Sequence, residues 1–229
     1  METNRFTRRS SLARFGGLVA AAAGGRVLLA DKAEGGNKAV ESGAVACVLT
    51  PELTEGPYYI AGEKLRRDVR EGHPGTLLTL NLKVLDASTC KPLKGAAVEI
   101  WHADAAGDYS GFGGGASSRT FLRGVQKTDA AGLAVFKTIY PGWYQGRAVH
   151  IHVKVHVGGS VVHTGQLFFP AAATAAVYQR SPYRAHGTQP DTPNPSDAIF
   201  RNGGSKGMLA LTRSGAGYAG AIAMGVHTA

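Results

Sequence analysis

Residues 150–157 read His-Ile-His-Val-Lys-Val-His-Val, and their strict alternation decides the fold. Ile151, Val153, Val155 and Val157 fall on one side of an extended chain, and His150, His152, Lys154 and His156 on the other. A period of two with β-branched residues at every apolar position is the pattern of a β-strand. It also puts His150 and His152 on one face, about 7 Å apart at their Cα atoms, which lets two imidazoles converge on one metal ion. A polar, solvent-facing strand surface would read the same way, and Lys154 and His156 continue that surface.

The alternation recurs on both sides of this stretch. Leu78, Leu80, Leu82 and Val84 alternate with Thr79, Asn81 and Lys83, and residues 96–101 return as a strand after a turn segment at 86–95. Further strands are expected over 132–138 and 161–169, with a closing hairpin from 209–212 and 218–226. A short helix is expected near 172–179, and residues 105–118 form a Gly-rich loop. No helix-period stretch competes with these strands, and 32 glycines and 10 prolines suit a turn-rich chain. The expected fold is an all-β, antiparallel β-sandwich whose long loops carry the metal site.

The first thirty residues read as an address. Thr7-Arg8-Arg9-Ser10-Ser11-Leu12 precedes a short apolar run rich in Gly and Ala, with small residues around Ala30. This is the make-up of a removable export signal of the twin-arginine type, and the run is too short to span a bilayer. Residues 1–30 supply +4 of the formal net charge of +9. The modest excess that remains is spread along the chain without a basic stripe, so nucleic acid is not an expected partner. Residues 31–46 read as a flexible linker, and 47–229 as one catalytic domain. Cys47 and Cys90 are the only cysteines, and in an exported protein such a pair is expected to form a disulfide. The bridge would close a loop of about forty residues, contributing on the order of 3–4 kcal/mol.

Two tyrosines stand at strand-to-loop transitions. Tyr109 ends residues 100–109, and Tyr144 lies on the turn of residues 141–149 that leads into His150. Phenolate oxygen with imidazole nitrogen suits a hard, highly charged ion, ferric iron above all, whereas zinc sites draw mainly on Cys, His and carboxylate. Each tyrosine alone reads as core or interface; only the four residues together point to a metal.

Residues 100–111 (IWHADAAGDYSG), 138–155 (TIYPGWYQGRAVHIHVKV) and 164–170 (TGQLFFP) resemble the intradiol ring-cleavage dioxygenases, the protocatechuate and catechol dioxygenase family. The resemblance covers roughly residues 47–229 and suggests an exported branch of that family. It implies that Tyr109, Tyr144, His150 and His152 hold a non-haem Fe(III). It further implies that O2 cleaves a catechol-type ring between its two hydroxylated carbons, giving a muconate-type diacid. Arg147 falls where the family stabilises charge developing on the substrate, and Tyr144 is the tyrosinate displaced when substrate binds. Gln166 matches a glutamine near that arginine. Residues 54–59 (TEGPYY) resemble a segment whose aromatic lines the pocket, with Tyr59 the expected lining residue, and Trp143 is a further expected substrate contact. Homo-oligomer formation stays open at this level. Two rival readings remain beside the enzyme: a non-catalytic extracellular β-sandwich binding module, and a copper or zinc protein using His150 and His152 with His156 or His163.

Overall fold

The computed structural model describes residues 49–113 and 116–228. The twin-arginine segment 1–30, the linker 31–46 and Cys47 lie outside the described residues. Cys90 is exposed and forms no disulfide among the described residues, so its expected pairing with Cys47 stays a proposal.

Two four-stranded sheets face each other. The first has the order β4-β1-β8-β7, formed by β1 (Leu77–Asp86), β4 (Leu133–Ile139), β7 (Ala210–Ser214) and β8 (Gly217–Val226). The second has the order β3-β2-β5-β6, formed by β2 (Ala97–Trp101), β3 (Arg123–Lys127), β5 (His150–Val157) and β6 (Ser160–Phe168). Outside the sheets lie α1 (Ala171–Tyr178) and the single-turn α2 (Ala198–Arg201), and no helix among the described residues is long and apolar enough to cross a membrane.

The alternation read from β1 sends Leu78, Leu80, Leu82 and Val84 into the space between the sheets, each 0–1% exposed. They meet Val98, Ile100, Phe136 and the Ile151-Val153-Val155 face of β5 in one core. Fully burying such side chains stabilises the fold by about 1.5–3 kcal/mol each relative to exposure. Asp86 ends β1 as a turn residue: its Oδ1 accepts from the backbone of Ser88 and Thr89, redirecting the chain toward β2.

Two features depart from the sequence expectation. The sandwich is not antiparallel throughout, because β1 and β8, the first and last strands, pair in parallel from Leu78↔Tyr218 to Asp86↔Val226. Local alternation reports a strand's faces but carries nothing about which distant strand lies beside it. Strand β3, Arg-Gly-Val-Gln-Lys, did not stand out, since five residues with a glycine and two end charges show no alternation.

The polar face of β5 is also not a solvent surface. His150, His152 and Lys154 are 3%, 0% and 5% exposed, because the segment before β1 crosses over this face. Its contacts run in order: the Thr54 carbonyl accepts from Gln166 Nε2, Glu55 pairs with Lys154, and Gly56 lies against His152. Register then assembles one row across the covered sheet: Arg123 opposite Trp101, Trp101 opposite His152, and His152 opposite Gln166.

Candidate metal centre

Two turns bring the tyrosines to the histidines. The turn at 141–147 leads directly into β5, and the loop after β2 ends on Tyr109. These turns touch backbone to backbone. Gly142 N donates to the Asp104 carbonyl at 2.9 Å, and a Cβ on Gly142 would lie 2.1 Å from that oxygen. Gly107, at φ +91°, similarly leaves room only for the Trp143 carbonyl.

The four aromatic side chains close a ring. Centroid separations are 5.8 Å for Tyr109–Tyr144, 5.6 Å for Tyr144–His150, 4.7 Å for His150–His152 and 6.2 Å for Tyr109–His152. The two Nε2 atoms of the histidines stand 3.0 Å apart. His150 Nδ1–H donates to the Ala148 carbonyl at 2.6 Å, which leaves its Nε2 as a bare acceptor. Burial and the Arg147 charge push His150 down to about 3, and burial together with His150 holds His152 well below 6.5. Both rings are therefore neutral at physiological pH, and the imidazole nitrogens of such a pair suit a shared cation.

That spacing meets a simple geometric test. Two nitrogens bound at about 2.1 Å and at right angles to one ion lie about 3.0 Å apart. Tyr109 Oη is buried without a hydrogen-bond partner, and Tyr144 Oη lies 3.4 Å from His150 Nε2. Burial, with the Tyr144 hydroxyl beside it, raises the Tyr109 phenol well above 10. Burial also raises Tyr144, against the opposing charge of Arg147. Without a cation these phenols keep their protons; a trivalent ion would reverse that preference and make both phenolates available as ligands. The donors present thus fit a ferric ion.

Arg147 reaches this ring from one side. Its Nη1 donates to Tyr144 Oη at 3.2 Å and approaches His150 Nε2 at 3.5 Å. Its Nη2 donates to Gln166 Oε1 at 2.5 Å and its Nε to Asp197 Oδ2 at 2.9 Å. Asp197 is 1% exposed, caps α2 through Ile199 N and Phe200 N, and accepts from Ala148 N. Burial alone would raise its carboxyl; the backbone donors of Ala148 and Phe200 and the Arg147 guanidinium outweigh that and hold it below 3.8.

The residues expected to contact substrate lie in different surroundings. Gln166 joins Arg147, as expected. Tyr58, rather than Tyr59, meets the phenols: it stacks on Tyr109 at 4.2 Å and stands edge-on to Tyr144 at 5.7 Å. Tyr59 instead packs on Trp101, donates to Glu99 Oε2 and lies under Lys154. Trp143 packs on His186, which also bonds the Trp143 carbonyl, and has no ring contact with the four donors. The residues expected for a copper or zinc site are not brought together. His156 pairs with Glu99, and His163 lies across from Val155 near Glu52. Among the described residues no group of three or more His, Cys, Asp or Glu is placed to hold a metal.

Sequence reasoning missed Trp101 and Asp197, and placed Tyr58 behind Tyr59. Trp101 stacks on His152 at 4.9 Å with the planes inclined by only 5°. Its place two residues before Ala103, at the end of a strand pointing toward Tyr109, was the available signal. Asp197 carried the signal of a helix cap but nothing that linked it to Arg147. Two surface cavities, of about 480 Å³ beside Asp68, Arg70 and Glu71 and about 300 Å³ beside His73, Asp104 and His186, include none of the four donors.

The family model described as "Dioxygenase" matches residues 54–175, the stretch that carries all four donors and Arg147. The fold is also that of a solved intradiol ring-cleavage dioxygenase from Tetranychus urticae, with a TM-score of 0.75 and 34% identity, covering 79% of this chain and 95% of that one. The chain belongs to the intradiol ring-cleavage dioxygenase family. A second similar solved structure is the dioxygenase domain of a dioxygenase carbohydrate-binding protein fusion from Streptomyces sp. SirexAA-E. It is 31% identical, with a TM-score of 0.62, covering 80% of this chain and 100% of that one. Among curated members of the family, catechol 1,2-dioxygenase 1 of Acinetobacter lwoffii is 38% identical over 125 residues, 52% of this chain and 37% of that protein. The chain spans about a third of the length of the curated catechol 1,2-dioxygenases it matches.

Proposed function

We propose that this protein cleaves catechol-type rings between the two hydroxylated carbons with O2, using a non-haem ferric ion held by Tyr109, Tyr144, His150 and His152. The observation that carries the reading is the pair of imidazole Nε2 atoms 3.0 Å apart beside a buried phenol oxygen without a hydrogen-bond partner. An adhesive or carbohydrate-binding sandwich has no use for such an arrangement. The family supports the reaction type, and the likeness to the catechol 1,2-dioxygenase of Acinetobacter lwoffii supports the substrate class.

The ferric ion, when bound, would draw electron density from a chelated catecholate and make the ring reactive toward O2. The residues do the rest. Tyr144 is less buried than Tyr109 and receives a hydrogen bond from Arg147, so it is the phenol suited to leave and accept a substrate proton at Oη. Tyr109, enclosed under Tyr58, stays in place. Arg147 is a permanent cation with a rigid donor fork, and it stabilises negative charge on the ring as that charge develops. Gln166 and Asp197 hold the fork so that it need not reorganise during reaction.

Iron-loaded protein should be red-brown from tyrosinate charge transfer and should consume O2 with catechol, protocatechuate, hydroxyquinol or a lignin-derived catechol. A folded preparation that takes up no iron and stays colourless would overturn the assignment. Export through the N-terminal arginine pair, and the Cys47–Cys90 bridge, belong to the same proposal. Replacing Arg8-Arg9 by Lys-Lys should retain the protein inside the cell, and thiol labelling of exported protein should find neither cysteine free. Unchanged export of the double-lysine variant would remove the twin-arginine reading.

A further inference from the structure

Arg123 opens β3 and is 1% exposed, a guanidinium enclosed in the protein. It occupies the cross-strand row that runs through Trp101 and His152 to Gln166. Its donors reach two separate segments. Nε bonds Ser110 O at 3.0 Å and Ser110 Oγ at 2.9 Å, and Nη2 bonds Ser110 O at 2.7 Å. Nη1 bonds the Tyr58 carbonyl at 2.7 Å. Ser110 follows Tyr109 directly, and Tyr58 is the ring stacked on Tyr109. One guanidinium therefore fastens both halves of the Tyr58–Tyr109 stack, while its Cζ lies 5.9 Å from the Tyr109 centroid and 5.5 Å from that of Phe112.

The surroundings show that this clamp is built. Leu122 takes φ +56°, a conformation a branched side chain rarely adopts, and is tied there by its N–H to the Val69 carbonyl. Arg66 bonds the Arg123 carbonyl through Nε and Nη2, fixing the backbone from outside. Ser110 Oγ also donates to the Phe121 carbonyl at 2.6 Å. Among the described ion pairs, the only carboxylate against Arg123 is Glu63, at 3.8 Å from Nη1. A desolvated guanidinium serving mainly carbonyl acceptors on two loops is arranged for geometry more than for charge pairing.

We infer that Arg123 is a positioning residue of the candidate iron site, locking the Tyr109 loop and the overlying Tyr58 segment into one unit that fixes where the Tyr109 oxygen points. The inference rests on the iron reading above, and its test separates the two. In the iron-loaded protein, Arg123→Lys keeps a positive charge but cannot reach Ser110 and Tyr58 together. Its tyrosinate charge-transfer band should move and broaden, and iron should leave to a chelator about 10- to 100-fold faster, the scale set by other outer partners of metal ligands. Phe136→Leu, in the core between the sheets, provides a variant that lowers stability without touching the clamp, and its band should match the parent. An unchanged band and iron-loss rate in Arg123→Lys, or an equal displacement in Phe136→Leu, would overturn the role of Arg123. If Arg123→Lys fails to fold, Ser110→Ala decides by the same two readouts, since it removes one of the acceptors of Nε. A parent protein with no charge-transfer band would instead refute the iron reading itself.

Discussion

Asp197 holds the guanidinium of Arg147 across fifty residues of chain, Oδ2 to Nε at 2.9 Å, while its other oxygen caps α2. One buried carboxylate thus fixes a helix start, the Ala148 peptide before His150, and the direction of the arginine. Asp197→Ala should lower stability by about 1–2 kcal/mol through the lost cap alone, measured by urea denaturation. Asp197→Asn keeps an acceptor for the cap and should recover part of that stability, while both variants slow turnover. Because the folded carboxyl lies below 3.8, its contribution is present above about pH 4 and is lost as pH falls further.

Arg147→Ala should leave iron content and colour in place and reduce kcat by about 10²–10³, the usual cost of one preorganised donor to developing charge. Arg147→Lys should not restore the rate, since an ammonium cannot serve Tyr144, Gln166 and Asp197 together. Metal analysis beside steady-state O2 uptake separates the two effects. Wild-type turnover in either variant would remove Arg147 from the mechanism.

Tyr109→Phe and His150→Ala should each lose iron, by more than the ~10- to 100-fold typical of residues that only support a ligand. Loss of the visible band with retained far-ultraviolet circular dichroism would show a folded protein without its site. Retention of a full complement of iron in His150→Ala would require a different ligand set.

Gly56 takes φ +73°, and a Cβ there would sit 3.1 Å from His152 Cε1. The His152 ring is held between this glycine and the Trp101 face, and its Nδ1 has no hydrogen-bond partner. Gly56→Ala should therefore push the ring from its place and cost about 1–2 kcal/mol in backbone strain. Iron binding should weaken with it, as a titration against a competing chelator would report.

The metal-free protein should lose stability on acidification below pH 6.5. His102, bonded to the Ala103 carbonyl and Thr138 Oγ, is pushed down by burial to about 4, and His150 to about 3. Unfolding lets both bind protons that the folded state refuses, so stability is full above 6.5 and falls as pH drops toward the folded values. Urea midpoints between pH 8 and 5 measure the slope. A His102→Asn variant should show a shallower slope than the parent over this range.

The legible part of this protein was local. Alternation placed β1 and β5 because a strand's two faces repeat every two residues, and that periodicity needs no knowledge of partners. The spacing of His150 and His152 fixed a shared face for the same reason, and the motif around Tyr109, Tyr144 and Arg147 pointed to the site and the family. Other matters were decided by what packs against those residues from far away. The sequence could not tell a buried histidine face from a wet one, since that depended on residues 54–59 crossing β5. Which of Tyr58 and Tyr59 stacks on Tyr109 was likewise decided by how the covering segment lies across β5. The sequence was silent on Asp197 and on the parallel pairing of β1 with β8. Periodicity is written in neighbouring residues, whereas burial and long-range pairing are written only in how the chain folds back on itself.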